Sequence, residues 1–178
     1  MSRLADSSAS GVYLGPVLFE DQAAAEFFNQ LLIENVSSPR APLADNDEVR
    51  KYYIDSGAFP DKLNMRVTAP FLSVYDDPLR KEFGGTELIG TYYADSEGVR
   101  PAKLELVNKG RLVNFYMSRA PMKQFKASNG HGRGYMNEFP SGRPGNVFIM
   151  SEKKAPKAEL RKKLLSLAGE LGLDHAVM

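Results

Sequence analysis

Two histidines, His131 and His175, and a complete absence of cysteine set the limits of this chain's chemistry. Without a thiol there is no disulfide, no thiolate nucleophile and no cysteine-ligated metal. His131 lies in the run Asn129-Gly130-His131-Gly132-Arg133-Gly134, which is glycine-rich and basic. Such a run lets backbone amides and the Arg133 guanidinium approach a carboxylate or a phosphate; by composition alone it also reads as a surface loop. His175 sits close to the C-terminus in a stretch without clear periodicity and reads as solvent-exposed. The paired acids Asp76 and Asp77 suit a hard cation, but Pro78 follows directly and a turn explains them as well. Serines and aspartates are plentiful enough to draw a Ser-His-Asp triad on paper. No Gly-x-Ser-x-Gly elbow exposes a nucleophile, and neither a P-loop nor a Gly-x-Gly-x-x-Gly turn is present.

The elements that must carry these residues begin with Val12–Ile33. Its first part, Val12–Leu18, is a short apolar run broken by Gly15-Pro16 and predicts a strand. Pro16 cannot donate to a ladder, which places that strand at a sheet edge or a bulge. Glu20 and Asp21 stand where negative charge suits a helix N-terminus. Behind them a helix over Asp21–Ile33 is predicted, with Ala24, Phe27, Phe28 and Leu31 on one apolar face. Ser37–Pro42 ends it, and a short helix near Asn46–Ile54 follows. Leu63–Tyr75 reads as extended, although Pro70 argues against a central strand. Ala102–Val107 and Arg111–Met117 form a predicted hairpin around Asn108-Lys109-Gly110, with Gly110 at the left-handed position of a three-residue loop. Asn146–Met150 reads as another strand. Pro156–Leu171 reads as a helix with Leu160, Leu164, Leu167 and Leu171 as its apolar stripe, and its basic face reads as solvated surface rather than a nucleic-acid contact.

Composition fits an ordinary globular protein of 178 residues, 43% hydrophobic and 25% charged. Net charge is +1, from 23 basic and 22 acidic residues, and gives no electrostatic reason for nucleic acid or an anionic membrane as partner. No apolar run approaches the length of a membrane span and no signal-peptide core is present, so the cytoplasm is the expected location. Residues 1–10 are expected to be a disordered tail and residues 11–178 one α+β domain. Its sheet is expected to be antiparallel or mixed, or a partly closed barrel, with a few packed helices.

Four segments in order resemble the C-terminal part of the TldD/PmbA family, known as modulators of DNA gyrase and as zinc peptidases. They are the Gly15–Phe28 unit, Leu72–Pro78, Asp95–Val99 running into Leu106–Leu112, and Ser128–Arg133. The resemblance spans roughly residues 11–150. It implies a compact α+β domain, work on peptides in the cytoplasm and a two-subunit assembly. Family members also carry a domain ahead of this region and strands beyond it, so this chain is expected to be a fragment or a short standalone form.

Catalytic members of that family carry His-Glu-x-x-x-His at the strand–helix junction and a cysteine further on. Two imidazoles and a thiolate hold zinc with a position open for water, whose proton the glutamate takes. Aligned on this sequence, the first histidine falls on Phe19, the glutamate on Glu20 and the second histidine on Ala24. Glu20 alone is retained. The expected function is therefore a non-catalytic subunit, without metal or cofactor, that binds a peptide or unfolded segment and pairs with a catalytic TldD-like subunit or with itself. Ser128, Asn129, Gly130 and Arg133 are its candidate peptide-binding residues. The alternative is an active hydrolase with a site around Glu20, Asp76, Asp77 and His131.

Overall fold

The computed structural model describes residues 12–37, 45, 46, 48, 59, 61–120, 122, 124–136 and 138–178. Two compact units emerge among them, one made of residues 12–25 and 154–178, the other of the described residues between 26 and 153. The expected 46–54 helix lies outside the described residues, apart from Asn46 and Glu48.

In the first unit the predicted Val12–Leu18 strand does not form. Tyr13 folds back to donate its hydroxyl to the Pro16 carbonyl at 3.0 Å. Only Val17 makes a bridge, parallel to Val177, with the Leu18 amide on the Val177 carbonyl at 3.0 Å. The Gly15-Pro16 break thus ends pairing instead of marking a sheet edge. Helix α1 (Asp21–Phe28) starts on the Glu20 carbonyl, which accepts from the Ala23 and Ala24 amides. Helix α2 (Lys157–Glu170) follows Pro156, whose ψ of 147° is extended, so the helix begins at Lys157. It closes in a Schellman cap: Gly172 takes φ +68°, and the Leu173 amide reaches the Ala168 carbonyl. Of the predicted leucine stripe Leu164 is buried, together with Ala168, while Leu160, Leu167 and Leu171 stay exposed.

The second unit holds the main sheet. Four antiparallel strands lie in the order β5-β4-β1-β8: β1 is Leu72–Asp76, β4 Leu104–Asn108, β5 Arg111–Leu112 and β8 Val147–Ser151. Two short hairpins accompany them, β2 (Glu82–Phe83) with β3 (Thr86–Glu87), and β6 (Gly132–Arg133) with β7 (Ser141–Gly142). Among the described residues all five strand pairs are antiparallel and the sheets stay open, so the fold is α+β without a closed barrel.

The predicted hairpin forms around a tighter turn than expected. Asn108 pairs with Arg111, leaving Lys109 and Gly110 as a two-residue loop with φ of 45° and 82°, the mirror-image turn that suits the strand twist. Its second strand is short because the Val113 and Asn114 amides share the Leu106 carbonyl and the ladder stops there. Phe115, Tyr116 and Met117 turn into the core instead. Extended structure over residues 63–75 likewise narrows to β1; residues 64–67 flank β5 through an isolated antiparallel bridge, Arg66 to Arg111, and hydrogen bonds with Gly110 and Leu112.

Helix geometry changes where the core needs it. After α1 the chain widens into a π-helical turn, Asn29–Ile33, and then tightens into a 3-10 turn, Glu34–Val36. The apolar face rotates with it: Leu32, Ile33 and Val36 are buried, whereas Phe27 and Leu31 of the predicted face are exposed. The core joins these three residues to Val74, Leu104, Leu106, Val107, Leu112, Phe115, Tyr116 and Met117.

Candidate functional site

Asp76 ends β1 and is fully buried. A carboxylate taken out of water needs partners, and three donors supply them. The Tyr116 hydroxyl and the Gly145 amide each lie 2.8 Å from Oδ2, and the Asn146 amide lies 3.0 Å from Oδ1. Burial first, and then the charge of Asp76, push the Tyr116 hydroxyl well above its ordinary pKa, so it stays a donor. His131 is buried as completely, which the surface-loop reading of its segment did not foresee. Its Nδ1 sits 3.1 Å from the Asn129 carbonyl and its Nε2 3.7 Å from Asp76 Oδ1, and Nε2 has no hydrogen-bond partner. Glycine lets the loop lie against the Arg100-Pro101 backbone. A Cβ at Gly130 would stand 2.5 Å from the Pro101 Cα, and Gly130 takes φ +77°.

The other predicted binding residues frame that loop. Asn129 accepts the Met117 amide at 3.0 Å and donates to the Phe115 carbonyl at 2.8 Å. Ser128 donates to the Met117 carbonyl and accepts the Gly130 amide. Arg133 is held twice: it donates to the Pro144 carbonyl at 2.9 Å, and its guanidinium lies 4.8 Å from the centre of the Tyr92 ring. The Tyr92 hydroxyl in turn donates to the Gly130 carbonyl, and burial raises its pKa.

Arg133 also lines a cleft of about 500 Å³, with Arg143, Ser141 and Gly142 on one side and Asn29, Glu34 and Ser37 on the other. The π-helical turn supplies that second wall; such turns often accompany functional sites. Arg143 was not singled out by sequence reasoning. Its signal was the repeated arginine at the two ends of a short glycine-flanked hairpin.

Of the alternative hydrolase residues in the second unit, Asp76 and His131 come together, and both are fully buried. Asp77 uses its carboxylate to accept the Leu79 amide at 3.3 Å, as the Asp-Pro turn implied. Glu20 belongs to the first unit. There Arg161 holds both its oxygens, at 3.2 and 3.1 Å, and Lys157 adds a contact at 2.9 Å. Hydrogen bonds from Arg161, then Lys157, hold its carboxyl below the usual glutamate range. His175 is exposed, as expected, with its ring 5.5 Å from that of Tyr13.

Zinc does not fit the junction. Phe19 and Ala24 offer no lone pair, and Glu20 is engaged by two cations. Among the described residues no three of His, Asp and Glu come together as a metal site. No helix among them is long and apolar enough to cross a membrane.

Comparison with known proteins gives these features a family. The profile of the PmbA/TldA metallopeptidase C-terminal domain matches residues 10–167. A protein named "Metalloprotease" from Archaeoglobus fulgidus is 32% identical over 88 residues, which is 49% of this chain and 19% of that protein. The crystal structure of TldE from Thermococcus kodakarensis superposes with a TM-score of 0.52 at 18% identity, covering 82% of this chain and 29% of TldE. At that identity the likeness speaks for the fold. This chain thus spans less than a third of the length of either relative.

Proposed function

This chain belongs to the TldD/PmbA metallopeptidase family, and on that premise we propose that it is a non-catalytic subunit that binds peptides or a catalytic partner. The observation that carries this reading is the state of the junction where catalytic members hold zinc. Phe19 and Ala24 replace both histidines, cysteine is absent from the chain, and Glu20 is committed to Arg161 and Lys157. A glutamate held by two cations is a poor proton acceptor, because its basicity is lowered by the same contacts.

Binding falls to the cleft beside Arg133. Ser128, Asn129 and Gly130 act as its frame, fixing the loop to the Phe115–Met117 backbone so that Arg133 is presented in one place. A pre-set side chain loses less conformational entropy when a ligand arrives. The occupant is a peptide or unfolded segment, and the partner a TldD-like subunit bearing His-Glu-x-x-x-His or a second copy of this chain, in the cytoplasm. The test is peptide cleavage by the purified chain, alone and mixed with such a subunit, with and without a chelator, alongside zinc analysis.

A further inference from the structure

We propose that the cleft takes a peptide carboxylate on Arg143, a place that Glu138 holds in the free chain; this rests on the peptide-binding reading above. Arg143 follows β7, and its amide donates to the His131 carbonyl at 2.9 Å, so its backbone is tied to the buried loop. Its side chain is held at two further points. Nε donates to Ser141 Oγ at 3.3 Å, and the guanidinium lies 4.9 Å from the centre of the Tyr135 ring. What remains is the planar end of the guanidinium, the geometry that matches a carboxylate. Glu138 Oε2 accepts from Nη2 at 2.7 Å, a short charge-assisted contact.

Glu138 is half exposed and comes from the loop between β6 and β7, so it leaves without disturbing the core. An exposed pair of this kind contributes little to stability. The arginine behind it is better anchored than the acid in front of it, which makes the acid the exchangeable member. Arg133 lines the same cleft and adds a second positive charge on that wall. A peptide brings a carboxylate from two sources, its C-terminus or an acidic side chain, and the chemistry at Arg143 accepts either.

Three fluorescein-labelled peptides of leucine, serine and glycine separate these cases: one with a free C-terminus, its C-terminal amide, and the amide with one internal glutamate. Anisotropy titrations use the full chain, with folding of every variant checked by circular dichroism. One or both carboxylate-bearing peptides are expected to bind more tightly than the neutral amide, and which one does identifies the source. Arg143→Ala is expected to weaken that binding by about tenfold to a hundredfold and to erase its advantage over the neutral amide. Should that variant misfold, Arg143→Lys keeps the charge, removes the fork and is expected to show a smaller loss of the same kind. Glu138→Gln is expected to strengthen carboxylate binding about twofold to fivefold. Equal binding of all three peptides, or indifference to Arg143, overturns the carboxylate site while peptide binding stands. Unchanged affinity in Glu138→Gln overturns the stand-in role. Absence of binding by all three overturns the peptide-binding reading itself.

Discussion

His131 Nε2 faces Asp76 Oδ1 at 3.7 Å, with both side chains fully buried and the two residues 55 positions apart in the sequence. No hydrogen bond forms at that distance, and the loop that carries Arg133 is held by the Gly132 amide on Asp95 Oδ2 at 2.9 Å and by Asn129 on the Phe115–Met117 backbone. Asp76 bears on the cleft through the Gly145 and Asn146 amides, which follow the cleft-lining Pro144.

Removing a donor from that carboxylate is expected to destabilise the second unit. Tyr116→Phe leaves Asp76 Oδ2 with one partner fewer and is expected to cost about 1–3 kcal/mol in denaturant unfolding. Asp76→Ala orphans the Tyr116 hydroxyl and two backbone amides together, so its cost is expected to exceed that of Tyr116→Phe. Equal midpoints for wild type and Tyr116→Phe would contradict this.

Gly142 offers a purely steric test. A Cβ there would run into the Tyr116 carbonyl oxygen, an atom of the backbone that cannot swing aside. Gly142→Ala is expected to destabilise the chain by about 1–3 kcal/mol and to weaken peptide binding by displacing Arg143. A variant with wild-type stability and affinity would show that β7 yields freely.

Acid should loosen the first unit through Glu20. Its folded pKa lies below the ordinary glutamate value, so its ion pairs with Arg161 and Lys157 stabilise fully at neutral pH. That contribution is lost as pH falls below the ordinary glutamate range and through the depressed folded value. Glu20→Gln is expected to lower stability modestly at pH 7 and to match wild type in strong acid. A gap between the two that persists or widens in acid would contradict the assignment.

The sequence was legible where local patterns govern. The 104–112 hairpin, the strand at 147–151 and the 157–170 helix follow from alternation, turn glycine and a leucine period, and their ends miss by a few residues. Long-range packing was not legible. Pro78 marks Asp77 as the turn residue, but nothing local shows that Asp76 is sealed in the core. The His131 segment has the composition of a surface loop, and its burial depends on residues such as Asp95 and Asp76, 37 and 55 positions from the residues they face. The π-helical turn was hidden for a similar reason, since the core selects Leu32, Ile33 and Val36 over a regular helical face. At the family's zinc junction the residue types themselves carried the reading. Phe19 and Ala24 cannot ligate a metal in any conformation, whereas the Arg161 and Lys157 grip on Glu20 needed the fold.

Peptide cleavage by the purified chain tests the central claim most directly. The chain alone, loaded with excess zinc and then freed of unbound metal, is expected to retain no stoichiometric zinc and to cleave nothing. Mixed with a TldD-like subunit bearing His-Glu-x-x-x-His, it is expected to enter a complex whose cleavage a chelator abolishes. Chelator-sensitive cleavage by the chain alone, lost in Glu20→Gln while the fold is kept, would contradict the account.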